Sequence, residues 1–207
     1  MKGLILKDFL SLKRQAKTFV VMLILYAALG LMQDNASILI GMITVIISIL
    51  PVTAMAYDEQ AKWERYALTL PLSRTQLVVS KYILALLLVI IGIVLGFGMS
   101  VAVTLLKGDS LDVVTLVAVT LTCAGVGVFI NSALLPFLFK LGSEKARMLM
   151  MAIMILPTVL IVIVAKMGLE LNVTILKWML LLAPVGLILM FVVSLFISIQ
   201  IYKKKEF

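Results

Sequence analysis

The sequence predicts an all-α fold: a polytopic membrane protein of six transmembrane helices, with an N-terminal amphipathic interfacial helix and a helical loop on the cytoplasmic side. Three observations predict it. Of 207 residues, 64% are hydrophobic and 14% charged, where a soluble domain carries about 45–50% and about 25%; the mean hydropathy is +1.24. The charged residues, 18 basic and 10 acidic, all fall between long apolar runs, and such runs read as membrane spans. The basic residues also segregate to alternate loops. The chain is one membrane domain with no room for a second, soluble one.

Residues 1–16 read as an amphipathic helix on the inner leaflet. Lys7, Asp8, Ser11 and Arg14 recur at helical spacing as a polar face, with Ile5, Leu6, Phe9 and Leu12 opposite. The six spans follow as Thr18–Met32, Ile38–Ala56, Tyr82–Leu106, Val113–Phe139, Met148–Ala165 and Trp178–Tyr202. The first has only 15 residues. At about 1.5 Å per residue it falls short of a roughly 30 Å hydrocarbon core, so Lys17 snorkels or the bilayer thins. With the N-terminus inside, 15 of the 18 basic residues lie on that side, leaving only Lys107, Lys166 and Lys177 outside. That asymmetry orients the chain with both termini in the cytoplasm, and the net charge of +8 reflects topology and contact with anionic lipid rather than nucleic-acid binding.

The outer loops 33–37 and 107–112 are short. The third, 166–177, is longer; Met167, Leu169, Leu171 and Val173 alternate with Glu170 and Asn172, and Asn172-Val173-Thr174 matches a glycosylation sequon, a weak signal at three residues. The cytoplasmic loop Tyr57–Lys81 carries seven charges in 25 residues. Asp58 is placed to cap a helix with Glu59 in its first turn. Gln60–Leu70 continues in helix-forming residues, Leu70-Pro71-Leu72 breaks it, and Ser73 caps a second helix that re-enters the membrane. Trp63 and Tyr66 are displayed among charges. The remaining inner loop, Lys140–Arg147, is brief.

Much chemistry is excluded. There is no His, which removes a Ser–His hydrolase and, with no acid inside any span, an intramembrane metalloprotease. No Walker-type glycine loop is present, so the chain does not hydrolyse ATP. The spans hold no ionisable residue, against a proton-coupled carrier. Scattered Thr44, Ser48, Thr120, Thr122 and Asn131 offer polar atoms there, and hydrogen bonds to their own or a neighbouring helix suit them better than a channel lining. Met148, Met150, Met151 and Met154 invite a Cu(I) reading, but no Cys or His assists them and adaptable packing is preferred. Cys123 is the only cysteine and reads as a small packing residue. Gly92-x-x-x-Gly96 and the Gly125/Gly127 pair are candidate close-packing faces; Pro51, Pro157 and Pro184 are candidate kinks. With no charge inside the bilayer, work on this chain comes from a soluble partner acting on the exposed loop.

Asp58-Glu59-Gln60-Ala61-Lys62-Trp63-Glu64-Arg65-Tyr66, then Leu70-Pro71-Leu72-Ser73-Arg74 and Lys81, resembles the first cytoplasmic loop of ABC-2 type transporter permeases. The motif covers about 25 residues and the six-span layout covers the whole chain; the size is similar to the small bacterial branch that includes permeases of the phenol-soluble modulin exporter and of bacitracin or lantibiotic resistance systems. The resemblance implies a non-catalytic plasma-membrane subunit. ATP and Mg²⁺ belong to two partner ATP-binding subunits, and a second permease copy or a sister permease packs against spans one, two and five. It implies ATPase coupling through Asp58, Glu59, Lys62, Trp63, Glu64, Arg65, Tyr66, Pro71 and Arg74, and secondary contact through Lys7, Asp8 and Arg14. Thr44, Ser48, Met151 and Met154 are the candidate substrate path, and the apolar interior favours amphipathic or antimicrobial peptides, then lipids or hydrophobic drugs, then ions. A non-transporting scaffold that recruits a cytoplasmic protein, and an ATP-independent channel, are the rival readings.

Overall fold

The computed structural model describes residues 2–33, 35–67, 69–166 and 173–205, and the side chains of these except 2, 64, 65, 154, 156–166 and 173–181. Residues 167–172 of the third outer loop, with Asn172 of the sequon, lie outside the described residues. The described elements are helices: α1 Lys2–Lys13, α2 Ala16–Met32, α3 Ile38–Ser48, α4 Leu50–Gln60, α5 Trp63–Ala67, α6 Arg74–Lys107, α7 Val113–Leu141, α8 Ser143–Lys166 and α9 Val173–Lys204. Among them four stretches are long and apolar enough to cross a membrane: Ile38–Gln60, Arg74–Lys107, Val113–Leu141 and Leu182–Lys204. The pair formed by α1 and α2, bent by 65° between Lys13 and Ala16, makes a fifth if taken as one span.

The apolar run from Ile38 is split at Ile49, where backbone bonds shorten to i→i−3 (Ile49 N to Ile46 O, Val52 N to Ile49 O). Pro51 in the first turn of α4 explains the break, because its missing N–H and ring prevent an unbroken ladder. α4 then continues to Gln60, through Asp58 and Glu59. Asp58 therefore sits in a helix interior and does not cap one. The expected helix over 58–66 is interrupted instead at Lys62, whose φ of 49° is the left-handed conformation that ends helices. α5 restarts at Trp63 and chain reversal follows at 69–72. The re-entry helix begins as the sequence indicates: Ser73 and Gln76 form a reciprocal capping box at the start of α6. At the other end of the bundle, Asp112 caps α7 by accepting from the Thr115 N–H and hydroxyl.

The centre is built by close approach of α3 and α6. A Cβ on Gly96 would lie 2.9 Å from the Ile40 Cα, and one on Gly92 3.1 Å from the Thr44 Cα. The Gly92-x-x-x-Gly96 face thus lets two backbones meet, the packing that lipid-embedded helices use in place of a hydrophobic drive. α7 joins through Gly127, whose added Cβ would be 2.8 Å from the Ser48 Oγ. A polar strand crosses the interior: the Tyr82 hydroxyl bonds with Ser194 and Ser198 of α9, each at 2.7 Å, and the Ser194 hydroxyl donates to the Ser132 carbonyl of α7 at 2.6 Å. Buried hydroxyls carry such bonds because hydrocarbon offers no water. Thr120, Thr122 and Asn131 bond back to carbonyls four residues earlier in α7.

α1 differs from its expected orientation. Asp8 is 1% exposed and faces the bundle, whereas Leu6 and Leu10 are 62% and 58% exposed. The charge partner described next turns Asp8 inward, leaving apolar residues on the outer face.

Candidate functional site

One end of the bundle gathers α1, the α4–α6 connection, the α7–α8 turn and the end of α9. Each is tied there by a charged side chain. At the centre, Lys81 on the second turn of α6 points its Nζ at both Asp8 oxygens (2.8 Å each) and at Asp58 Oδ2 (2.6 Å). Lys7 closes the cluster, 2.5 Å from Asp58 Oδ1 and 3.0 Å from Asp8 Oδ1. Two ammonium groups and two carboxylates thereby join α1, α4 and α6, with side-chain exposures of 2% for Asp8, 11% for Asp58 and Lys81, and 25% for Lys7. A group this buried is tolerated only when paired and hydrogen-bonded. Here the charges balance. A small cavity of about 30 Å³ adjoins the cluster, walled by Met55, Trp63 and Tyr202, room for a single water among polar partners.

The cluster reaches the loop through Trp63. Lys7 Nζ stands 4.4 Å from the Trp63 ring centroid, a cation–π distance, and Trp63 stacks at a tilt on Tyr66, 5.4 Å between centroids. Glu59 leaves α4 in another direction. Its carboxylate accepts from the Ser143 N–H (2.9 and 3.0 Å) and from the Ser143 hydroxyl (2.5 Å), placing negative charge at the positive end of α8. Gly142, at φ 81°, makes the turn; a Cβ there would sit 3.3 Å from Glu59 Oε1. On the opposite flank Arg74 donates to the Lys203 and Lys205 carbonyls at 2.6 and 3.2 Å, satisfying the last acceptors of α9.

The residues singled out for ATPase coupling and secondary ATPase contact thus divide into two groups. Asp8, Asp58, Glu59 and Arg74 hold the connection to the bundle, Lys7 sits half-buried over Trp63, and Lys62, Tyr66, Pro71 and Arg14 are exposed; Tyr66 is 58% exposed. Glu64 and Arg65 lie in α5, their side chains outside the described ones. Lys81, Ser143 and the Tyr82–Ser194–Ser198 set were not among the candidates; on α9 the i, i+4 spacing of Ser194 and Ser198 is the one signal that marks a polar face.

The candidate path residues do not line an opening. Thr44 and Ser48 are fully buried in the α3–α6–α7 packing, and among the described residues their hydroxyls, with that of Ser100, find no hydrogen-bond partner. Met151 is 65% exposed on α8, and the Met154 side chain lies outside the described ones. The larger apolar recess, about 330 Å³, lies elsewhere, between α1–α2 and α3, α4 and α6.

A family model described as "ABC-2 family transporter protein" matches residues 3–203 of the chain. No curated protein matches the chain.

Proposed function

The chain belongs to the ABC-2 transporter family, and from that premise we propose that it is the non-catalytic permease subunit of an ATP-driven exporter, coupled to its motor through the α4–α6 connection. Membership implies a multi-pass membrane protein that associates with ATP-binding subunits. The proposal adds that the end holding α1, α5 and the α7–α8 turn faces the cytoplasm, in line with the 15 basic residues on that side. It adds six spans, with α2 and α8 counted beside the four long apolar stretches. Two ATP-binding subunits carry ATP and Mg²⁺, and a second permease, identical or a sister chain, completes the pore in the plasma membrane of a bacterial cell.

One observation supports the mechanical part above all. The tip, on which Lys62, Tyr66 and Pro71 are exposed, is lashed to the bundle at three places: Asp58 to Lys81 of α6, Glu59 to α8, and Arg74 to the end of α9. A push on Tyr66 and Lys62 is therefore delivered to three helices together and is not absorbed by a slack loop. Trp63, Tyr66, Lys62, Arg65 and Pro71 form the docking tip, with Glu64 beside them; Arg14 and Lys7 add contacts at its edge. For cargo, an apolar interior sealed at Thr44 and Ser48 and a Met-bearing face at Met151 and Met154 suit amphipathic or antimicrobial peptides above other hydrophobic molecules.

The test is co-purification with the ATP-binding subunit and stimulation of its ATPase in proteoliposomes. Tyr66→Ala and Lys62→Glu, both exposed, should fold normally and lose about tenfold or more of the stimulation, the size expected when a central interface anchor is truncated. Normal coupling in both variants refutes the assignment. Export of a labelled amphipathic peptide with both subunits and ATP tests the transport step; coupling without flux would favour a scaffold, and flux without the ATPase a channel.

A further inference from the structure

The recess beside α2 is a second site of distinct chemistry. α2 is anchored to the bundle at both ends, and between them Phe19 and Leu23 pack toward Ile43 and Ile47 while leaving an apolar recess open beside them. At one end Gln15 Nε2 donates to the Tyr57 hydroxyl at 3.0 Å; at the other Gly30 packs so closely that a Cβ would meet Leu39 at 2.6 Å. Between these anchors lies the 330 Å³ groove, walled by Phe19 and Leu23 of α2 against Ile43, Ile47, Leu88 and Ile91. That volume is at the lower end of those that hold small ligands. The groove runs along α2 from Ala16 to Tyr26, a rise of about 15 Å, half of a roughly 30 Å hydrocarbon core.

Its mouth is charged. Lys13 lines it at the α1–α2 bend, with Arg14 and Lys17 beside it, all three exposed. Among the described residues none of the three has a carboxylate within ion-pair distance, whereas Lys7 and Lys81 nearby are fully paired. An apolar slot one leaflet deep, opening on three unpaired cations, complements a molecule with one anionic head and a hydrocarbon tail.

We propose that this groove binds an acyl chain of an anionic phospholipid, whose phosphate is held by Lys13, Arg14 and Lys17. The groove shares none of its lining residues with the Asp58–Arg74 connection and meets the proposed docking edge only at Arg14; it does not rest on the transport reading. A cationic amphipathic peptide is repelled at the same mouth, and a zwitterionic lipid gains little from the three cations.

The experiment is native mass spectrometry of the purified full-length chain, offered phosphatidylglycerol or phosphatidylcholine with identical acyl chains. One phosphatidylglycerol should be retained in preference, with the preference falling about fivefold for each of Lys13→Gln, Arg14→Gln and Lys17→Gln. Leu23→Trp fills the slot from α2 and Ile91→Trp fills it from α6; either should abolish retention while circular dichroism and elution volume stay unchanged, and the pair guards against one variant misfolding. Equal retention of the two lipids, or retention undiminished in a well-folded Trp variant, overturns the proposal. So does a copy-to-copy disulfide at Met22→Cys, in a Cys123→Ala background, that excludes lipid, because the occupant is then a second copy of the chain.

Discussion

Lys81→Met tests the charge cluster directly. The wild-type ammonium meets three carboxylate oxygens within 2.8 Å, and its removal leaves Asp8 and Asp58 sharing Lys7 alone. Asp8 is 1% and Asp58 8% exposed, so water cannot take over the missing role. Stripping one partner from a buried ionic set costs about 3–5 kcal/mol. For a chain of this length, each kcal/mol lowers the melting midpoint by about 2–4 °C, so a drop on the order of 10 °C is expected. Thermal unfolding in detergent, followed by tryptophan fluorescence, measures it. Asp8→Asn combined with Lys81→Met restores a balanced Lys7–Asp58 pair, and the double variant should recover at least about 1 kcal/mol relative to the sum of the singles, the coupling expected of groups in one network. A midpoint within about 2 °C of wild type for Lys81→Met, or strictly additive losses, would refute the reasoning that these charges act as a unit.

Three further outcomes follow from the packing and the caps. Gly96→Ala drives a methyl against the Ile40 Cα, 2.9 Å from the ideal Cβ position, and should cost about 1–3 kcal/mol by separating α3 from α6; an unchanged melting midpoint would contradict the close approach. Tyr82→Phe removes the hydroxyl shared by Ser194 and Ser198 and should cost about 0.5–1.5 kcal/mol, with no loss in a Ser194→Ala, Ser198→Ala background if the bond is the cause. Asp112, exposed at the start of α7, has its carboxyl held below the ordinary range by the Thr115 hydroxyl first and the Thr115 N–H next. A depressed folded-state value means the cap is fully present above the usual carboxylate pKa and is lost as pH falls through the lowered one. Protection of the amides over residues 113–116, measured against their intrinsic exchange rates at each pH, should therefore fall in acid, and Asp112→Asn should flatten that dependence.

The sequence carried the features that depend on near neighbours. Ser73 and Gln76 are three residues apart and Gly92 and Gly96 four; each pair appears where local rules put it. Asp58 shows where such rules fail. It stands before a plausible helix and has the side chain of a cap, yet tertiary contact with a lysine 23 residues away keeps it inside α4. Asp8 fails in the same way: the helical spacing of Lys7, Asp8, Ser11 and Arg14 gives a polar face, but its partner Lys81 is 73 residues distant, and no local pattern states that the face turns inward. The Tyr82 network spans 112 and 116 residues and was illegible for that reason. Hydropathy located the apolar runs, and Pro51, a candidate kink by its backbone chemistry, lies at the break that divides one of them.

The balance of the charge cluster bears on what kind of work this bundle can do. The apolar runs exclude ionisable groups from the spans, and the charges that the fold does bury sit at one end as two cations against two anions. The cluster pairs each of its carboxylates with an ammonium, in contrast to the lone carboxylates that drive proton-coupled carriers. Its cost and its strength are both geometric: separating α1 from α4 and α6 would expose four ions to poor solvation at once. The four paired charges thereby tie α1, α4 and the start of α6 to one another. Rigidity at that junction, with close-packed glycines between α3 and α6 above it, suits an element that receives force at one end and transmits it along the bundle.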